Sequence, residues 1–318
     1  MRMRLKIAAA VFLAAGISSA RAQAILWRDP GNTGAWDFAG TVGTEIKPPK
    51  APYTFVREDL SGTQPKIFVR DADGIPWNVK FGYEAKVESF CWRVVRACGY
   101  FAEPSYYVPQ GRIEGLRPLE RGKPWIQPDG RFTNARFQYR YPNWRLDAAK
   151  NWRWDGPPFG GTKELSGLKI LIMLFSNWDN KDGRDGKEAN TAVFEDRSGK
   201  GTQLLYAFTD WGSGMGRWGN TTGQTDWRCA DYTQQTPGFV KAVDKGRVLF
   251  GFRGDIDEGF DTNISVSDVQ WFLPHLLRVN DVQVYEGLRA SGADDSEATC
   301  FTKAFRERVA QLQALHEQ

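Results

Sequence analysis

The sequence predicts an α+β chain in two lobes, an N-terminal lobe of antiparallel strands with one helix and a mainly helical C-terminal lobe. Three observations carry that prediction. Residues 53–57, 66–70 and 77–81 alternate β-branched or aromatic residues with polar ones between turn residues, the pattern of short strands. A helical stretch follows at residues 84–97, and Gly99 stands where a helix commonly ends on a left-handed residue. Residues 264–315 then hold two or three helical segments. The first is SVSDVQWFLPHLL, which Ser265 or Ser267 is placed to cap; the second runs to about residue 288, and an amphipathic one starts near 295.

Before these elements comes MRMRLKIAAAVFLAAGISSARAQA, with a basic start, an apolar run over residues 7–17 and two A-x-A sites ending at Ala22 and Ala24. That is the pattern of a secretory signal peptide, too short in its apolar part to span a membrane. The expectation is cleavage after residue 22 or 24 and export to the periplasm or the cell exterior, with no stable membrane insertion. Cleavage after Ala22 removes Arg2, Arg4, Lys6 and Arg21, which brings the 42 basic residues down to equal the 38 acidic ones. A neutral mature chain offers no charge argument for nucleic acid or an anionic membrane as partner.

A mature chain of about 295 residues suits one large or two small domains with a substantial core. The expected lobes are residues 23–116 and 117–318. Four cysteines allow up to two disulfides in an exported chain. Cys91 and Cys98 lie two turns apart on the predicted helix, roughly 10 Å by helical rise, too far to pair without unwinding it. Cys229 with Cys300 is the expected bridge.

Taken in order, residues 27–44 read as irregular, and Asp73-Gly74 turns the second strand into the third. The third strand holds Lys80 between apolar neighbours, a costly place for a cation unless an anion meets it. On the following helix Glu84 and Glu88 are spaced i, i+4 and share a face. Residues 106–154 are rich in Arg, Pro and aromatics and read as strands and loops with little chemistry; Pro128 to Gly130 mark a turn there. The helix over residues 163–175 is apolar nearly all round in its second half, as buried helices are.

That helix delivers the chain to residues 175–216, where SNWDNKD, NTAVF and YAFTDWGSGMG follow one another. Asp179, Asn190 and Asp210 are hard oxygen donors of the kind magnesium takes, with phosphate and water filling its other positions. Only His275 and His316 are histidines, far apart, so no imidazole metal site competes, and His275 reads as a packing residue.

Laid end to end, these pieces resemble the protein-kinase-like superfamily in its atypical branches. SGTQPK at residues 61–66 looks like the S-G-x-Q-P-K phosphate loop of HipA-like kinases. Glu88 lies eleven residues before Gly99, the family spacing, which favours it over Glu84. TDWGSGMG is similar to the metal loop D-N-G-x-G-x-G of the secretory-pathway casein-kinase family. NWDNKD followed by NTAVF resembles the catalytic loop D-x-x-x-x-N before an apolar strand, although ten residues separate Asp179 from Asn190 where that loop has about four.

The resemblance implies a bilobal kinase-like fold using ATP and Mg²⁺. Ser61, Gly62 and Thr63 would cover the phosphates, Lys80 would contact them and Glu88 would hold Lys80. Asp179 would accept the proton of the attacking hydroxyl, with Asp182 and Asp185 as rivals, and Asn190 and Asp210 would bind the metal. Lys181 is the nearest basic residue after Asp179. The implied function is an exported phosphotransferase acting on a hydroxyl, of a protein or a small molecule. A kinase-like binding protein without catalysis is the alternative, and a carbohydrate-binding or hydrolytic protein is a third reading.

Overall fold

Along one strand Trp77, Val79 and Phe81 alternate with Asn78 and Lys80, and this pleat sets the architecture of the N-terminal half. The computed structural model describes residues 22–315 apart from 61–63, 148–149, 200, 220–225 and 258. Nearly all of the expected leader and the Ser61-Gly62-Thr63 loop therefore fall outside the described residues.

After the short β1 (Gln23–Ile25) come β2 (Tyr53–Asp59), β3 (Lys66–Arg70), β4 (Pro76–Phe81), β5 (Ser105–Glu114) and β6 (Arg131–Gln138). The five strands from β2 to β6 close into a barrel in the order β2-β3-β4-β6-β5. Ile67, Val69, Trp77, Val79 and Phe137 are fully buried, and the rings of Tyr53 and Trp77 both pack on Phe137.

Two expectations are corrected here. The sheet is not wholly antiparallel, because β2 and β5 pair in parallel at Tyr53 with Ile113 and Thr54 with Glu114 to close the barrel. A lobe boundary at residue 116 also fails, since β6 pairs with both β4 and β5 and carries the barrel on to residue 138.

The helix α1 (Glu84–Ala97) packs against β4, β5 and β6 on one side and against later helices on the other. Val87, Phe90, Val94 and Val95 are fully buried, and Gly99 follows the helix with φ +90°. Cys91 and Cys98 are buried and unpaired.

The remaining chain has more strand than a mainly helical lobe. β7 (Trp144–Leu146), β8 (Thr191–Asp196) and β9 (Gln203–Phe208) form a second sheet in the order β1-β9-β8-β7, with β1 parallel to β9. β10 (Val240–Asp244) and β11 (Arg247–Phe250) make a separate hairpin.

The helices here are α2 (Lys163–Leu174), α3 (Cys229–Gln235), α4 (Val266–Leu277), α5 (Asp281–Ala290) and α6 (Asp295–Ala314). Ser265, Asn280 and Asp294 cap α4, α5 and α6 through reciprocal capping boxes. α2 packs on α4. A disulfide joins Cys229 on α3 to Cys300 on α6, as expected. His275 sits against Trp27 and Trp271 as a packing residue. Among the described residues no helix is long and apolar enough to cross a membrane.

Candidate active site

Lys80 is where the barrel and α1 meet. The pleat turns it away from the barrel interior, and at 6% exposure its ammonium must find anions within the protein. It pairs with Glu88 Oε1 at 2.7 Å and with Glu84 one turn earlier, while Asp210 Oδ1 stands 3.9 Å away. The preference for Glu88 over Glu84 is thus corrected to both, because i, i+4 spacing puts both carboxylates on the face that covers β4. Burial alone would depress Lys80, but Asp210, Glu88 and Glu84 outweigh it and hold the ammonium above the usual lysine range. Glu84 moves the other way: burial, with Asp210 and Glu88 adding to it, raises its carboxyl despite Lys80.

A second cation comes from the segment expected to hold little chemistry. Arg136 lies in register with Lys80 on β6, as Lys66 does on β3, so three cations form a row across adjacent strands. Arg136 Nε stands 2.8 Å from Glu88 Oε2. The sequence signal was the one that marked Lys80: Arg136 sits between Ala135 and Phe137, a cation inside a strand of buried residues.

Residues 175–216 come together as one unit. After α2, Asn177 Nδ2 donates to the Asp210 carbonyl at 2.9 Å, Trp178 N to Ser213 O at 3.1 Å, and Met215 N to Phe175 O at 2.7 Å. The turn holding Asp210 is thereby docked on the loop holding Asp179. Gly212 makes a close approach possible, because a Cβ there would lie 2.8 Å from the Cβ of Glu84. Asn190 just precedes β8 and Asp210 closely follows β9. Pairing of Thr191 with Phe208 brings them to the same end of the sheet, with Thr209 N donating to Asn190 O at 2.8 Å.

Arg308 of α6 fixes this unit from behind. Fully buried, it donates to Leu174 O at 3.0 Å, Ser176 Oγ at 2.8 Å and Tyr232 O at 2.9 Å. Burial lowers its guanidinium to about 10.

The acids of the long insert take different roles. Asp179 pairs with Lys181 at 3.0 Å, and Lys181 also reaches Asp255 at 3.5 Å. Burial raises the Asp179 carboxyl, Lys181 opposing and Asp210 adding to it. Asp182 is fully buried and spent on structure: it accepts from Trp154 N at 2.9 Å and from Arg184 Nε at 2.9 Å. Asp185 caps it in return through the Asp182 N–H at 3.0 Å. Asn190 Nδ2 donates to the Asp179 carbonyl at 2.7 Å, which leaves its Oδ1 as the remaining acceptor.

Lys66, Lys80, Glu88, Arg136, Asn190 and Asp210 are among the walls of a cleft of about 460 Å³. Burial alone would raise Asp210, but Lys80, the Gly212 N–H and Arg136 hold it below the usual carboxylate value. Carboxylate oxygens of Glu84, Glu88 and Asp210 lie within 4.8 Å of one another. The Lys80 ammonium stands among these oxygens; Asp210, the farthest of the three from it, and the Asn190 Oδ1 are hard oxygen donors of the kind magnesium takes. Asp226, not singled out from sequence, is a further acid of this region. Burial and then Glu84 push its carboxyl up to about 7, and its Oδ1 is buried without a hydrogen-bond partner.

No protein-family model matches the chain, and no curated protein does. Among solved structures it is similar to a crystal structure of the Golgi casein kinase with Mn and ADP bound, at 8% identity and a TM-score of 0.39, over 84% of this chain and 73% of that one. A second Golgi casein kinase structure is similar at 10% identity and a TM-score of 0.37, over 85% of this chain and 72% of that one. Likeness at this level is loose and decides neither family nor activity.

Proposed function

We propose that the protein is an exported, kinase-like phosphotransferase that uses ATP and Mg²⁺ in the cleft between the barrel and the second sheet, and transfers phosphate to a hydroxyl of a protein acceptor. The observation that carries this is Lys80 held among Glu84, Glu88 and Asp210, with Lys80, Glu88 and Asp210 at the wall of one cleft. Phosphoryl transfer asks mainly for positioning and charge stabilisation, and a buried ion-pair cluster beside an open cleft supplies both.

In this reading Lys80 binds phosphate oxygens, Glu88 fixes its ammonium, and Ser61, Gly62 and Thr63 cover the phosphates. Asp210 and Asn190 hold the metal, while Glu84 and Glu88 stay paired with Lys80. A bound magnesium neutralises charge on the phosphates. Asp179 is the base in this reading: its carboxylate, 18% exposed, is held by the Lys181 side chain, whereas Asp182 and Asp185 accept hydrogen bonds from the backbone around them. The Cys229–Cys300 disulfide supports export, since such bridges persist in oxidising compartments.

A thermal-shift titration of the mature chain with ATP and Mg²⁺, beside Lys80→Ala and Asp210→Ala, tests the reading. A ligand that binds only the native state stabilises it by about 2.7 kcal/mol at a hundredfold excess over its Kd. A magnesium-dependent shift in the wild type, lost in both variants, is expected. Wild-type-like shifts in Asp210→Ala overturn the assignment. A shift without phosphate transfer to any acceptor supports the binding-only alternative.

A further inference from the structure

One pleat behind the row of cations lies a second row on the same face of the barrel sheet. Asn78 is two residues from Lys80 on β4, so both side chains leave the strand on the same side. It is in register with Phe68 on β3 and Gln138 on β6. Asn78 is 1% exposed, yet neither its Oδ1 nor its Nδ2 has a hydrogen-bond partner.

Buried polar atoms are paired in the large majority of cases, and leaving one unpaired costs stability. An apolar residue like Phe68 beside it would meet the demands of packing alone. Asn78 is therefore a polar group in want of a partner, and it lines the same cleft as Lys80.

The cleft around it changes character from charge to a mixture of apolar faces and a few polar groups. Trp144, Leu146 and Phe194 line it there together with Glu103 and Gln138. Flat apolar faces with sparse polar groups suit a planar ligand that must be both sandwiched and oriented. An asparagine amide shows one donor and one acceptor side by side. Adenine shows the complement, an amine donor next to a ring-nitrogen acceptor, and amide side chains bind it in that two-point fashion. A purine with a 6-oxo group presents two acceptors on its N7 edge, which a cationic fork reads instead.

We infer that Asn78 is the base-reading residue of this cleft and that the base it selects is adenine, an assignment that rests on the nucleotide reading of the same site. Lys80 and its neighbours then serve the phosphates, while the Asn78 row one pleat behind serves the base.

Calorimetric titration of the mature chain, wild type and Asn78→Leu, with the magnesium complexes of ATP, purine riboside triphosphate and tripolyphosphate separates the possibilities. Purine riboside triphosphate lacks only the 6-amino group, and tripolyphosphate lacks the base altogether. The wild type is expected to bind ATP about ten-fold more tightly than the desamino nucleotide, as one well-made hydrogen bond permits. Asn78→Leu is expected to bind the two within about twofold and tripolyphosphate as the wild type does. Its melting temperature without ligand is expected to be unchanged or higher, because two unpaired polar atoms are removed.

An undiminished ATP preference in Asn78→Leu overturns the inference and leaves the nucleotide cleft standing. So does a wild type that binds both nucleotides equally, an outcome that needs no variant to fold. A wild type that binds none of the three ligands overturns the inference together with the nucleotide reading.

Discussion

Arg136 and Glu88 face each other at 2.8 Å, and the other oxygen of Glu88 is taken by Lys80 at 2.7 Å. The carboxylate is thus held from both sides, by cations from two neighbouring strands, and cannot swing away from Lys80. Removing one member of a buried charge cluster leaves the rest uncompensated, at a cost of about 3–5 kcal/mol. Arg136→Met is expected to lose stability on that scale in urea denaturation and to weaken nucleotide binding, although the resemblance gave this residue no role. Arg136→Lys should recover only part of the loss, since a point charge replaces a planar fork.

Asp179 and Asp182 are three residues apart and should fail differently. Asp179→Asn is expected to lower phosphate transfer by about 10²–10⁴-fold, the range of a general base, with nucleotide affinity and melting temperature near those of the wild type. Asp182→Ala is expected to lose about 1.5–3 kcal/mol of stability for its charged hydrogen bonds. Steady-state kinetics beside thermal melting of both variants separates the two roles, and the opposite pattern would move the base to Asp182.

Arg308 links α6 to the end of α2 and to α3, so it supports the loop of Asp179 without touching the cleft. Its guanidinium stacks 3.6 Å from the centre of the Tyr232 ring while donating to the surrounding carbonyls. Arg308→Ala is expected to cost about 3–5 kcal/mol, because it strands buried acceptors and opens a cavity. Chemical denaturation measures this directly.

The Cys229–Cys300 bridge closes a loop of 71 residues that contains the second hairpin, α4 and α5. The chain-entropy account assigns such a loop about 4 kcal/mol. Cys300→Ser, or reduction of the wild type, is expected to lower the melting temperature on that scale, and Cys91→Ser should leave this bridge intact.

Glu103 in the cleft wall gives a pH signature. Burial pushes its carboxyl up to about 7, with Arg140 and Arg136 pulling the other way. Between its ordinary value of 4.5 and about 7, the native state holds a proton that the unfolded state releases, so stability falls as pH rises through this window. Glu103→Gln keeps the neutral shape and removes the linkage. The wild type is therefore expected to gain melting temperature relative to Glu103→Gln as pH falls from 7.5 to 5; a constant difference would show that Glu103 titrates normally.

Much of the site's composition was readable from one chain. Lys80 among apolar neighbours and glutamates four apart on the next helix are local patterns, set by a pleat of two and a turn of 3.6 residues. The Ser265 cap and the Gly99 stop followed from equally local chemistry, and the disulfide from excluding a Cys91–Cys98 pair by helical spacing. The strand reading of residues 106–154 was sound, but its function was not, because the anion that Arg136 meets comes from another segment.

By itself the sequence determined the three strands over residues 53–57, 66–70 and 77–81, the helices near 84–97, 163–175 and 264–315, that a cation lies on β4 with two carboxylates in reach, and that Asp179, Asn190 and Asp210 lie in one stretch of chain. Those facts depend on backbone preferences and on neighbours within a few residues. Only the tertiary structure decided that Glu84 and Glu88 both serve Lys80, that Arg136 completes the cluster, that Asp182 is structural and that the barrel runs past residue 116. Each depends on the register of strands distant in sequence, such as β4 with β6. That register follows from how the whole core packs, and it is what makes a carboxylate free, shared or spent.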